Sequence, residues 1–348
     1  MSFHSSINSY SSLRNLGLLA LLLTCGLSIS TGPLAIGFIN SLKGLVIGLV
    51  NTVTAWDPGT LAPHEQLIIN NVRLPRTLLA LCVGATLAQC GAVMQGLFRN
   101  PLADPGIIGV SAGAAFGAAI FIVLFAGAPE YAVAIGAFLG GLATTLLVYR
   151  VATSSSGTSV VMLLLAGVAV AALFGAGIGV LTYIANDMAL RDLSLWQMGS
   201  IAGAKWHFVW LSAAALVVIS WQFHRSAKAL NALLLGEAEA RHLGVDVERL
   251  KYRMIFLCAL GVGIAVAGTG IIGFIGLVVP HIVRMMVGPD HRLLLPLSAL
   301  LGAVLLLIAD VGARTLMPPS EVPVGLLTAL LGAPFFIYLL LKQRQRLF

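Results

Sequence analysis

Arg73-Leu74-Pro75-Arg76 opens a stretch that continues as an apolar run to Phe98. It then passes through Arg99-Asn100-Pro101-Leu102-Ala103-Asp104-Pro105 to Gly109-Val110-Ser111-Ala112-Gly113. The apolar part, about twenty residues, is long enough to cross a bilayer. Arginines mark one of its ends and a proline-bounded polar turn marks the other, so the stretch reads as one membrane crossing. The rest of the chain repeats that theme. Of 348 residues, 59% are hydrophobic and 9% charged, with 38 glycines, which is too little polar surface for a water-soluble protein of this size. The apolar runs lack the alternation of strands, which points to helices and not to a membrane barrel.

Working outward, Arg14 precedes an apolar run from Leu16 to about Phe38. This run reads as a first span or as a secretory signal; its length and the lack of an A-x-A cleavage pattern favour the span. Gly44 to Asn71 reads as an outer loop with an interfacial helix. Further runs lie at about Thr77–Phe98, Ile107–Phe125, Tyr131–Tyr149, Val160–Ile184, Phe208–Trp221, Ile255–Ile271, Gly273–Val287, Leu293–Val311 and Val322–Leu341. The expectation is an all-α polytopic protein of about ten transmembrane helices, one membrane domain over residues 1–348. In the seventh and eighth runs, Gly268, Gly270, Gly273, Gly276 and Pro280 allow a broken or re-entrant path. With the N-terminus inside, fourteen Lys/Arg fall on the inner side and six on the outer, so both termini are expected in the cytoplasm. The net charge of +7 is spread over short loops, which argues against nucleic acid as a partner.

Small-xxx-small spacings at Gly113/Gly117, Gly136/Gly140 and Gly175/Gly179 predict close helix approach within one bundle. Cys25, Cys82, Cys90 and Cys258 all sit in apolar runs with no CxxC pair, so they read as packing residues. A phosphate-binding loop needs Gly-Lys-Ser/Thr, and no lysine here follows a glycine. No HExxH is present either, so the chain is expected not to be an enzyme by itself. The acid well inside a span is Asp310, with Arg314 one turn on, which reads as a local ion pair more readily than as a proton relay. Energy for any transport is therefore expected from outside the chain. The longest inner loop, about 225–253, fits that need. It carries helix formers from Ala238 to Leu243 and a glycine stop at Gly244, a short helix able to pass motion from a partner to the bundle.

These segments, in this order, resemble the permease subunits of binding-protein-dependent ABC importers for iron-siderophores, heme and cobalamin. The carriers begin with the opening stretch and Leu163-Leu164-Leu165-Ala166-Gly167. In the second half they are Gly236-Glu237 through Leu243-Gly244, Ile272-Gly273-Phe274-Ile275-Gly276-Leu277-Val278-Val279-Pro280-His281, Asp290-His291-Arg292, Asp310 with Arg314, and Gly332-Ala333-Pro334. The resemblance covers Val72 to Lys342. It implies a type II ABC importer permease fold of ten helices in the bacterial inner membrane. It also implies a homodimer with a central pathway, bound to two cytoplasmic ATP-binding subunits and visited by a periplasmic binding protein. Within the family, Met94-Gln95-Gly96-Leu97-Phe98-Arg99, Leu190 to Trp196 and Leu235 to Arg249 are most similar to heme permeases. Heme is then the transported substrate and not a resident cofactor, and ATP is used by the partner subunit. A ferric-siderophore or cobalamin permease is the alternative, and an ion-coupled carrier or a non-transporting membrane anchor are rivals of other classes.

The resemblance also assigns roles. Arg73, Arg76 and Arg314 would receive carboxylates of the binding protein at the outer mouth, in competition with lipid-headgroup anchoring and attraction of heme propionates. Gly236, Glu237, Arg241, Gly244 and Arg249 would couple to the ATPase. Thr158, Ser159, Val160 and Val161 would narrow the cytoplasmic end of the pathway. His64, His207, Tyr183 and Met188 are possible iron ligands by chemistry, but a conduit must release its cargo, so no metal site is assigned.

Overall fold

The computed structural model describes residues 3–32, 37, 62–125, 127–155 and 157–344. It is helical almost throughout: α1 (Phe3–Ser30), α2 (Pro63–Leu97), α3 (Val110–Leu124), α4 (Glu130–Ala152), α5 (Val160–Ile184), α6 (Asp187–Met198), α7 (Trp206–Leu235), α8 (Glu237–His242), α9 (Val247–Thr269), α10 (Ile275–Val287), α11 (His291–Thr315) and α12 (Val324–Arg344). A two-residue antiparallel ladder, β1 (Thr153–Ser154) with β2 (Gly157–Thr158), joins α4 to α5. Seven of the described helices are long and apolar enough to cross a membrane, namely α1, α2, α4, α5, α7, α9 and α11. Three more, α3, α10 and α12, carry shorter apolar stretches. Each of the ten expected runs falls on one of these ten helices.

The opening stretch is the axis of the bundle. In the part of α2 from Leu74 to Leu97, every residue except Leu74, Leu78 and Leu81 is buried. Helices α7, α9, α10 and α11 pack around it. Glycine lets two of them touch its backbone: a Cβ on Gly84 would run into the Gly302 carbonyl of α11, and one on Gly91 into the Gly276 carbonyl of α10. In lipid, where burial of apolar surface drives little, such close backbone packing supplies much of the association. The spacings Gly113/Gly117 and Gly136/Gly140 do the same between α3 and α4, each glycine lying against a backbone carbonyl of the other helix. Gly175 and Gly179 of α5 meet nothing within 4 Å among the described residues.

Several expected boundaries move. The outer loop expected over Gly44–Asn71 is helical from Pro63, and its part from Gly44 to Leu61 lies outside the described residues. Arg73 and Arg76 therefore stand inside a continuous helix and not ahead of it. Pro75 is accommodated because residues 69–73 form a wide π turn, in which the Leu74 N–H reaches back to the Ile69 carbonyl. The sixth expected run stops at Trp221, yet α7 continues to Leu235, because Ala227, Leu230 and Leu233 keep a buried face going beyond His224 and Arg225. The inner loop thus begins at Gly236 and not near 225. The glycine-rich region is broken as its composition predicts: α9 ends at Thr269, and Gly270 and Phe274 take left-handed backbone. Helix α10 then has only 13 residues, about 20 Å of rise, short of a bilayer's thickness.

Candidate functional site

At the inner end, two expected regions meet. Gly236 (φ 131°) and Gly244 (φ 82°) bracket α8 in backbone conformations that L side chains avoid, so both glycines are required by the turn geometry. Between them Ala240 is buried, while Arg241, His242 and Leu243 are exposed and form a ridge on the protein surface. Asp246 caps α9 by accepting from the Arg249 N–H at 3.0 Å, which leaves the Arg249 side chain exposed. In the neighbouring hairpin, Thr158 is buried. Ser159 caps α5, accepting from the Met162 N–H at 3.4 Å, and Val161 is exposed.

The start of α9 ties these two regions together. Glu248 Oε2 accepts from the Thr158 N–H at 2.9 Å, and Lys251 Nζ donates to the Thr158 carbonyl at 2.8 Å. Lys251 also pairs with Glu237 Oε1 of α8 at 2.7 Å and with Glu248 Oε1 at 3.3 Å. Arg241 completes the cluster from outside, 3.6 Å from both carboxylates. Neither Glu248 nor Lys251 stands among the coupling residues expected from the sequence. The i, i+3 spacing of Glu248 and Lys251 was the available signal.

At the outer end the three arginines expected to dock the binding protein lie buried in the protomer. Arg73, Arg76 and Arg314 are 3%, 5% and 4% exposed, not arrayed around a mouth. Arg76 binds Asp310 with two nitrogens, Nε and Nη2, each 2.9 Å from Oδ1, and its Nη1 meets Glu321 at 2.7 Å. Arg314 takes the other Asp310 oxygen at 3.0 Å and donates to Ser28 Oγ and to the carbonyls of Ser28 and Thr31. Arg73 donates to the carbonyls of Ile29 and Ser30. The forks of Arg73 and Arg314 pin the C-terminal end of α1, whose last carbonyls lack helical partners, against α2 and α11, and Arg76 ties α2 to α11. The expected Asp310–Arg314 pair is present, and Arg76 shares its carboxylate.

Residues of α5 and α6, the segment 271–274 and α12 line an open hollow of about 830 Å³. Gly175, Gly179, Ser194, Gln197, Phe274 and Ala329 are among its walls, and no charged residue lines it. The unpartnered glycines of α5 open onto this hollow. Tyr183 and Met188 are exposed beside it, at 90% and 76%.

The FecCD transport family profile matches residues 18–342. The chain is 50% identical over 297 residues to the hemin transport system permease protein HmuU of Yersinia pestis, covering 84% of this chain and 88% of that protein. It is 46% identical over 285 residues to the cobalamin import system permease protein BtuC of Halobacterium salinarum, covering 81% and 75%. A solved chain described as an inward-facing conformation of a metal-chelate type ABC transporter superposes with a TM-score of 0.82 at 36% identity, covering 95% of this chain and 99% of that one. A bundle built around the Arg73–Gly113 stretch, a glycine-bracketed inner ridge and a matching profile over nearly the whole length lead to one conclusion: this chain belongs to the FecCD transport family, as a multi-pass permease of the ABC importer type.

Proposed function

We propose that this permease conducts heme across the inner membrane as a homodimer driven by two separate ATP-binding subunits, with a periplasmic binding protein delivering the cargo. The observation that carries heme over its rivals is the 50% identity to a hemin permease across most of both chains. The hollow beside α5 adds support: its walls are mostly small or apolar, with Thr182, Ser194 and Gln197 as uncharged polar groups, which suits a flat, largely apolar cargo. The second reading is cobalamin, favoured by the 46% identity to a cobalamin permease. The ridge at α8, with exposed Leu235 and Leu243 beside Glu237, Arg241 and Arg249, offers an ATP-binding subunit both apolar grip and charge. Thr158, Ser159, Val160 and Val161 form the inner gate in this reading.

Reconstitution in proteoliposomes with the ATP-binding subunit and binding protein of the same system tests it. The expected outcome is ATP-dependent uptake of heme, with little uptake of cobalamin or a ferric siderophore and no ATP hydrolysis by the permease alone. Uptake of cobalamin only would replace the cargo. Uptake without ATP or binding protein would replace the mechanism with an ion-coupled carrier.

A further inference from the structure

The two inner regions are separate in sequence: the hairpin precedes α8 by some eighty residues, and among the described residues no backbone ladder connects them. Yet both backbone polar groups of Thr158, the residue just before the α5 cap, are held by side chains from the first turns of α9. The Lys251 ammonium has three donors, and it has three acceptors: the Thr158 carbonyl, Glu237 Oε1 and Glu248 Oε1. Its side chain is 2% exposed, whereas Glu237 and Glu248 are 38% and 36% exposed. A cation taken out of water this completely is tolerated only where its acceptors compensate. Here one acceptor belongs to α8 and another to the hairpin. The fit against α9 is close on the hairpin side as well. Gly157 (φ 113°) lies so near Glu248 that a Cβ would come within 2.9 Å of Oε1, and Tyr149 and Tyr252 stack edge-on behind it at 5.4 Å.

We infer that Lys251 is a positioning residue that joins α8 to the β1–β2 hairpin, so that displacement of α8 by an ATP-binding subunit is passed to the Thr158–Val161 turn as one rigid piece. Arg241, half-exposed at the rim, buffers the two carboxylates and is the outer and weaker member of the cluster. This inference rests on the importer reading above, and it adds a route by which the inner ridge moves the turn. The path through α9 alone would bend a helix whose face is buried against α2 and α4. The ammonium provides a shorter one.

The test uses the whole reconstituted complex, with uptake, ATP hydrolysis and the distance between spin labels at Ser155 and His242 measured together. In the unsubstituted protein the label distance should stay the same between nucleotide-free and ATP-trapped states. Lys251→Met keeps the stem and removes the ammonium. It should continue to hydrolyse ATP while uptake per ATP falls about tenfold, the factor one lost charge-assisted bond carries, and the label distance should now differ between states. If that variant does not fold, Glu237→Gln, which sits at the surface, should lower uptake per ATP about threefold with the same loosening of the labels. Unchanged uptake per ATP and label distance in the folded variants overturn the inference. So does a parallel fall of hydrolysis and uptake with lowered thermal stability and an unchanged label distance. An unsubstituted complex that neither hydrolyses ATP nor takes up cargo overturns the importer reading instead.

Discussion

Asp310 is completely buried and holds two guanidinium groups, one from its own helix and one from α2. Removing one member of such a buried ionic set leaves uncompensated charge and costs about 3–5 kcal/mol. Asp310→Asn should therefore lower the thermal unfolding temperature of the detergent-solubilised protein sharply. Glu321→Gln, at a partly exposed position, should cost about 1 kcal/mol or less. Arg76→Glu should behave like Asp310→Asn, losing folded protein before it loses affinity for a binding protein. A charge reversal on that partner should then restore nothing, whereas rescue would return the outer arginines to a docking role. The sequence made half of this network legible. Arg314 lies four residues after Asp310, so helical spacing alone pairs them. Arg76 lies 234 residues away, and nothing local to it says whether its fork faces water or a carboxylate.

Among the elements, composition and run length located every apolar helix, because lipid demands a long unbroken apolar stretch with its backbone bonds satisfied internally. Their ends were less legible. Helix α7 continues into polar sequence because one face stays buried, and α6, an outer helix capped by Asn186, was not anticipated among charged residues. The glycine spacings were legible as close approaches, but not which helix approaches which. Gly91 and Gly179 separate the two uses. A side chain at Gly91 meets the α10 backbone, so Gly91→Leu should destabilise the bundle by about 3 kcal/mol or more. Gly179 meets nothing within 4 Å among the described residues, so Gly179→Leu should unfold at the unsubstituted temperature. If the hollow beside α5 is the conduit, that variant should still lose cargo uptake. A Gly179→Leu protein that transports normally would place the conduit elsewhere.

At the scale of the molecule, burial is unevenly shared. Helix α2 is enclosed on nearly all sides, while α1 and α5 leave most of their surface outside the protomer. For α1 that surface fits lipid; for α5, with Val161, Leu165, Val168 and Val180 exposed, it is the surface that the proposed homodimer would use. Cysteines introduced at Ser159 in both copies should crosslink and block uptake. A bridged dimer that still transports would show that the narrowing lies away from this turn. The enclosure of α2 has a further consequence for how the protein is made. Helix α2 leaves the ribosome early, yet Arg76, Gln89 and Gln95 find their partners at Asp310, Leu295 and Leu277, 234, 206 and 182 residues later. One arginine and two glutamines must therefore wait at the bilayer without these partners through the synthesis of more than half the chain. Insertion of this segment depends on shelter from the insertion machinery or on a late, concerted closing of the bundle when α10 and α11 arrive.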